Sequence, residues 1–202
     1  GHWRSGTTLL ENILSCDPQF GYLNTVQSLF PTCFITAEEK ISKKFRANKR
    51  EMDNVKLGPF TPSEEEIAMA VLGPGSFWHG YYFPKRMTEY FEKYVLFNNI
   101  PEEEKKRWEN NYVWLIQKLT YRYAGKQLLL KNPPNTSRID VLLKLFPNAK
   151  FVHIVRNPFE VYASRINQYF SSVLHKALQP ISLAEWETRT LNYYQLMMKK
   201  HL

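Results

Sequence analysis

Gln127-Leu128-Leu129-Leu130-Lys131 is the stretch of sequence that decides the fold. Its apolar run has the length of a buried parallel strand, and the Asn132-Pro133-Pro134 that follows would end such a strand. Residues 139–146 repeat apolar side chains at helical spacing, and Lys150-Phe151-Val152-His153-Ile154-Val155 has the pattern of a second strand. A further helix is expected to open at Pro158. Strand, helix, strand, helix predicts an α/β fold with a parallel sheet covered by helices.

Helical patterns extend outward from this unit in both directions. Leu9, Leu10, Ile13 and Leu14 predict a helix directly after a Gly6-Thr7-Thr8 turn. Ser63 and Glu66 have the spacing of a capping box, which predicts a second helix. A long helix is expected after Pro101, and an amphipathic one over residues 183–202. The buried stripe of the long helix would be Trp108, Tyr112, Leu115, Ile116, Leu119 and Tyr123.

Length and composition limit the classes of protein to consider. The chain has 202 residues, 44% of them hydrophobic, which suits a single compact domain over residues 1–202. No run of 18 apolar residues occurs, and the net charge of +8 favours an anionic partner. Two cysteines, Cys16 and Cys33, are too few for a disulfide scaffold and lack metal-site spacing. A reducing, cytoplasmic location is therefore the expectation.

The first residues have the frame of a phosphate-binding loop. Gly1-x-x-x-x-Gly6-Thr7-Thr8 matches G-x-x-x-x-G-K-[ST] except that Thr7 replaces the lysine. Glycines and a helix N-terminus together present backbone N–H groups to an anion, and the nearest cation is Arg4. Such a loop suits a phosphate-bearing donor with fewer charges than ATP, for example one that transfers a sulfuryl group. An ordinary helix start is the alternative.

Arg156 and Ser164 form a second candidate anion site. The arginine follows the second predicted strand, and the serine lies two turns into the next helix. Both would face the crevice at the strand ends, where ligands of α/β proteins bind, and an arginine offers a forked donor to phosphate oxygens. Taken alone, a helix-capping arginine and a solvated serine explain the pattern as well.

Together these segments resemble the sulfotransferases that use 3′-phosphoadenosine 5′-phosphosulfate (PAPS). The resemblance is carried by Arg4-Ser5-Gly6-Thr7-Thr8-Leu9-Leu10, by Lys131-Asn132-Pro133, and by Arg156 followed eight positions later by Ser164. It implies a P-loop-type parallel sheet flanked by helices in a three-layer sandwich. The first strand of that fold and the Gly-rich C-terminal loop that closes over the nucleotide find no counterpart here. We therefore expect a single domain that is incomplete at both ends.

The resemblance also implies a role for each matching residue. Arg4, Ser5, Gly6, Thr7 and Thr8 would hold the 5′-phosphate of the donor. Arg156 and Ser164 would hold its 3′-phosphate. Lys131 and Arg4 would be catalytic, since they would neutralise the charge that develops on the leaving phosphate. No metal ion is expected.

The general base is the least determined part of this prediction. Transfer to a hydroxyl requires a group that takes its proton, commonly a histidine or a carboxylate. Related bacterial sequences share an acidic patch at the position that follows Pro62 here, so Glu64 or Glu65 is the expected base. The other candidates are Glu66, His79, His153 and Asp53.

The resemblance thus predicts transfer of a sulfuryl group from PAPS to a hydroxyl of a small molecule or carbohydrate. Nucleic acid is not an expected partner, and association with a membrane is left open. One alternative is a P-loop phosphotransferase (kinase) that acts on ATP. Another is a non-catalytic polyanion-binding protein, suggested by the net charge and by the basic residues 40–50.

Overall fold

The computed structural model describes residues 1–50, 52–53 and 55–201 as helices joined by short strands and loops. In chain order the elements are α1 (Thr7–Leu14), β1 (Phe20–Tyr22), α2 (Thr25–Leu29), α3 (Phe34–Lys44), β2 (Asn48–Lys49), β3 (Lys56–Leu57), α4 (Glu65–Leu72), α5 (His79–Tyr82), α6 (Met87–Tyr94), α7 (Glu102–Arg122), β4 (Gln127–Leu129), α8 (Ile139–Leu145), α9 (Pro158–Gln168), α10 (Leu174–Lys176) and α11 (Leu183–His201). Short 3₁₀ segments lie at Pro84–Arg86 and Pro133–Ser137, and a π-helical turn follows α9 at Tyr169–Val173.

A small parallel sheet flanked by helices confirms the predicted α/β class. Strands β1 and β4 pair in parallel, with Phe20 opposite Gln127 and Tyr22 opposite Leu129. The strand predicted at residues 127–131 is therefore present, although its regular part ends at Leu129. Strand β1 was not predicted, because three residues centred on a glycine carry no period-2 signal. A separate antiparallel hairpin joins β2 and β3.

The prediction of a second strand at residues 150–155 is wrong. These residues have no regular secondary structure, and the side chains of Val152 and Val155 are exposed. A strand needs a neighbour for its backbone N–H and C=O groups, and no described strand pairs with this segment. A cavity of about 660 Å³ lies between it and β4, with Leu128 and Leu130 on one side and Ile154 on the other.

The predicted helices form close to their expected positions. Helix α1 begins at Thr7, α8 and α9 flank residues 150–155, and α11 covers residues 183–201; residue 202 lies outside the described residues. Helix α7 begins after Pro101 with three glutamates in its first turn, where they complement the helix dipole. The members of its predicted stripe that are buried are Trp108, Tyr112, Leu115 and Leu119.

An aromatic core holds the helices together. Phe77 lies at its centre, with its ring centroid 5.1 Å from that of Trp3 and 5.8 Å from that of Phe91. Tyr193 of α11 stacks on Phe91 at 3.8 Å. Edge-on and stacked ring pairs, such as those of Phe91 with Phe77 and Tyr193, each add about 0.5–1.5 kcal/mol beyond the burial of their area. The core thus ties the segment before α1 to α6 and α11.

Glu66 forms a buried ion pair, so its predicted capping-box role is wrong. Its Oε2 accepts hydrogen bonds from Arg138 Nη1 at 2.8 Å and Asn132 Nδ2 at 2.9 Å. Its Oε1 accepts from Ser76 Oγ at 2.9 Å and the Phe77 N–H at 2.7 Å. Burial alone would raise the pKa of Glu66, but Arg138 and these donors hold it below its ordinary value. The carboxylate is therefore charged and fully partnered.

We expect Glu66→Gln to lower the free energy of unfolding by about 3–5 kcal/mol, because it leaves the buried Arg138 guanidinium without a counter-charge. Urea denaturation at neutral pH measures this change. Glu39→Gln is the matched control: it breaks the exposed pair with Lys43 and should cost less than about 0.5 kcal/mol. Equal losses in the two variants would contradict a special role for the buried pair.

Candidate active site

The loop before α1 has the backbone shape that a phosphate-binding turn requires. Gly6 has φ +94° and Arg4 has φ +69°, so both adopt the left-handed conformation. The turn leads directly into α1, whose first backbone N–H groups have no hydrogen-bond partner inside the helix. Thr7 and Thr8 lie in this first turn. The start of α1 can therefore offer backbone N–H groups and two hydroxyls to an anion.

Arg4 connects this loop to the second predicted anion site. Its Nε donates to Ser164 Oγ at 2.9 Å, and its carbonyl oxygen accepts a hydrogen bond from Arg156 Nη1 at 3.1 Å. Asn157 caps α9 through the Phe159 N–H, which fixes the arginine just before the helix and the serine two turns into it. The structure thus brings together the two motifs that the sequence predicted to bind one donor; that they bind it remains a prediction.

A carboxylate lies against the same arginine. Asp53 Oδ2 is 2.9 Å from Arg4 Nη1, and Arg50 approaches both Asp53 oxygens, at 2.8 and 2.5 Å. Partial burial would raise the pKa of Asp53, but the two arginines lower it below its ordinary value. Asp53 is thus occupied as a counter-ion, which makes it a poor general base. Arg50 was missed as a site residue because its local partner, Asp53, meets Arg4 only in the folded chain.

Lys131 lies just beyond the end of β4, among two carboxyl groups and a hydroxyl. Its Nζ is 2.7 Å from Glu64 Oε1, 3.5 Å from Glu11 Oε2 and 3.4 Å from Thr8 Oγ1. Burial alone would lower the pKa of Lys131, but the two glutamates hold it above its ordinary value. The ammonium is therefore charged and lies beside the first turn of α1.

The structure distinguishes the two glutamates expected as general base. Glu64 precedes α4 and reaches Lys131, with part of its side chain exposed. Glu65 is fully buried, and its Oε1 accepts a hydrogen bond from Tyr112 Oη at 3.0 Å. Burial raises the pKa of Glu65 to about 7. Glu64 therefore belongs to the cluster around Lys131, whereas Glu65 lies in the packing between α4 and α7.

The remaining base candidates make their contacts elsewhere. The His79 ring is 3.2 Å from the Ser76 carbonyl oxygen, and the His153 ring stacks on His201 at 4.0 Å. Glu66 is held by Arg138. Glu11, which the sequence analysis did not single out, is instead the further titratable group at Lys131. Its spacing of three and four residues from Thr8 and Thr7 places it on the same face of α1 and is the signal that could have found it.

The described part of the chain contains neither a group of side chains that could hold a metal ion nor a helix that could span a membrane. No group of three or more histidine, cysteine, aspartate or glutamate side chains could hold a metal ion within residues 1–50, 52–53 and 55–201. Over the same residues, no helix has the length and apolar character to cross a membrane. Cys16 and Cys33 are exposed free thiols.

Comparison with known proteins agrees with this arrangement. A model of the sulfotransferase family matches residues 1–201. The chain is 36% identical over 187 residues to omega-hydroxy-beta-dihydromenaquinone-9 sulfotransferase Stf3 of Mycobacterium bovis and, equally, of Mycobacterium tuberculosis. These matches cover 90% of this chain and 45% of each relative, so the chain spans about half the length of the curated relatives it matches. No solved structure matches it significantly. The family match confirms the resemblance seen in the sequence: the chain belongs to the sulfotransferase family.

Proposed function

We propose that this protein transfers a sulfuryl group from PAPS to a hydroxyl of a small acceptor molecule. The observation that carries the proposal is the junction at Arg4, whose side chain meets Ser164 and whose carbonyl oxygen meets Arg156. One ligand with phosphates at both ends of a nucleoside can contact the α1 loop and the start of α9 together. Membership of the family supports the choice of a sulfuryl rather than a phosphoryl donor.

The α1 loop would bind the 5′-phosphate of this donor. Backbone N–H groups at the start of α1 and the hydroxyls of Ser5, Thr7 and Thr8 supply hydrogen bonds without adding charge. Arg4 supplies a guanidinium on one side of the loop and Lys131 an ammonium on the other. Arg156 is paired with Glu160 at 2.7 Å, but about two-fifths of its side chain is exposed, so a 3′-phosphate beside Ser164 would replace or share this exposed partner.

Glu64 and Lys131 would act on the two oxygens between which the sulfuryl group moves: Glu64 on the acceptor hydroxyl and Lys131 on the phosphate oxygen of the donor. The acceptor oxygen forms a bond to sulfur while the bond from sulfur to the phosphate oxygen breaks. Glu64 takes the acceptor's proton, and Lys131 stabilises the negative charge left on 3′-phosphoadenosine 5′-phosphate. Because the two side chains are paired at 2.7 Å, movement of the ammonium toward the leaving phosphate raises the basicity of the carboxylate.

We also propose the finer P-loop-type architecture, with a further strand between β4 and residues 150–155. The cavity of about 660 Å³ between them supports this arrangement, since apolar side chains line it from both sides. A strand placed there would pair with β4 on one side and supply the partner that residues 150–155 lack. The sheet would then become the middle layer of a three-layer sandwich.

The acceptor in this proposal is a hydroxylated small molecule of apolar character. The name of the mycobacterial relatives gives a hydroxylated dihydromenaquinone as their acceptor, which supports a small molecule over a carbohydrate.

For the cellular location of this protein we propose the cytoplasm. The two free, exposed cysteines support this proposal, because free thiols persist in a reducing compartment.

Arg156→Ala should weaken binding of 3′-phosphoadenosine 5′-phosphate by about 10- to 100-fold, because a charge-assisted hydrogen bond contributes about 1.5–3 kcal/mol. Affinity for AMP, which lacks the 3′-phosphate, should stay within twofold of wild type. Isothermal titration calorimetry measures both. Arg46→Ala removes the same charge from an exposed position and should leave both affinities unchanged. Wild-type protein that binds AMP as tightly as the 3′-phosphorylated nucleotide would contradict the proposal.

Glu64→Gln should lower kcat for sulfuryl transfer by about 10²- to 10⁴-fold, the range expected for loss of a general base. Binding of 3′-phosphoadenosine 5′-phosphate should be retained, since this substitution leaves the α1 loop and Lys131 in place. Transfer from radiolabelled PAPS to a hydroxylated quinone or another small alcohol measures kcat. Glu65→Gln tests the neighbouring carboxyl and should lower kcat much less. The reverse order would show that Glu65, despite its burial, is the base.

A further inference from the structure

Glu11 is a buried carboxyl at Lys131 to which the proposed mechanism gives no role. It projects from α1 with 2% of its surface exposed, and its Oε2 lies 3.5 Å from the Lys131 ammonium. Glu64 is closer, at 2.7 Å, and less buried. The ammonium thus lies between two carboxyl groups that can compete for it.

The surroundings of Glu11 favour its neutral form. Neither of its side-chain oxygens accepts a hydrogen bond of ordinary length from a described residue, and the donor within reach is the Lys131 ammonium, 3.5 Å from Oε2. A buried carboxylate without such donors is destabilised relative to the neutral acid. Lys131 is the nearby cation, and it is already paired with Glu64. A second negative charge at this position would therefore have to draw the ammonium toward α1.

Some of the charges that face Glu11 raise its pKa and others lower it. Burial is the largest effect and raises its pKa; Lys131 opposes this rise, whereas Glu65 and Glu64 add to it, and the result is a pKa of about 8. Tyr22, on β1, also interacts electrostatically with Glu11. Glu11 is thus neutral at pH 7 and ionises within the range in which enzymes are commonly assayed.

We propose that Glu11 is a positioning residue that controls where the Lys131 ammonium lies. As a neutral acid, Glu11 leaves the ammonium with Glu64 and Thr8, next to the donor loop. As a carboxylate, Glu11 pulls the ammonium toward α1 and away from the leaving phosphate. The inference rests on the proposed function, because it assigns Lys131 to the donor.

Thermal unfolding tests the protonation of Glu11 without any need for activity. An unfolded glutamate titrates near 4.5, so between about pH 5 and 8 the unfolded chain releases a proton that folded Glu11 retains. Stability of the wild type is therefore lost over this range relative to Glu11→Gln, which cannot ionise. The Tm of the variant should rise relative to wild type by about 5 °C or more from pH 5 to pH 8. A Tm difference that stays constant would overturn the proposal.

The pH profile of sulfuryl transfer tests the positioning role. Wild-type kcat/KM should fall about tenfold per pH unit above pH 8 as Glu11 ionises, whereas Glu11→Gln should hold its value to about pH 9. Glu103→Gln, on the exposed first turn of α7, is the control and should reproduce the wild-type profile. A descending limb that survives unchanged in Glu11→Gln would overturn the inference. Absence of turnover in wild type at every pH would contradict the proposed function and, with it, the positioning role, whereas the Tm comparison would still test whether Glu11 is neutral in the folded protein.

Discussion

The buried pair of Glu66 and Arg138 is the interaction on which the position of the site depends. Both side chains are almost fully buried, and neither charge is stable there without the other. Arg138 Nε also donates a hydrogen bond to the Tyr94 carbonyl oxygen at 2.6 Å. Asn132 donates a further hydrogen bond to the Glu66 carboxylate. The pair therefore fixes α4, the end of α6 and the segment after β4 relative to one another.

The same constraint sets the geometry around Lys131. Glu64 lies two residues before Glu66, and Lys131 directly precedes Asn132. When Glu66 and Asn132 are joined inside the core, the side chains of Glu64 and Lys131 are brought to a common edge, where they meet at 2.7 Å. The contact between Glu64 and Lys131 thus depends on a core interaction outside the site, so a change in this part of the core should also change the site.

Sequence reasoning succeeded where the signal was local. The helical spacing of the residues after Thr7 and Pro101, and the apolar run at residues 127–131, predicted α1, α7 and β4. It failed where a partner was needed: residues 150–155 have the composition of a strand, but no described strand lies beside them to pair with. Glu66 was likewise assigned to a local capping box, although Arg138, 72 residues away, is its partner. The contacts of Asp53 with Arg4 and of Glu11 with Lys131 are also tertiary, so local spacing can place these carboxyl groups on a turn or a helix face but cannot name their partners.

Thr7 stands where the pattern of a phosphate-binding loop has a lysine, so the positive charge near a bound phosphate has to come from another part of the chain. A lysine within the loop would be held next to the phosphates by the backbone on both sides of it. In the proposed mechanism the corresponding ammonium comes from Lys131, on a different element, and we infer that its position depends on which nearby carboxyl group is charged. The loop itself is held through Arg4, whose left-handed backbone costs about 1–3 kcal/mol and is stabilised by Ser164 and Arg156. In this proposal the loop that binds the anion is held in place through Arg4, whereas the Lys131 ammonium can change its position. This division would suit the phosphosulfate group of PAPS, which carries fewer negative charges than the triphosphate of ATP and leaves a more negative phosphate when the bond to sulfur breaks.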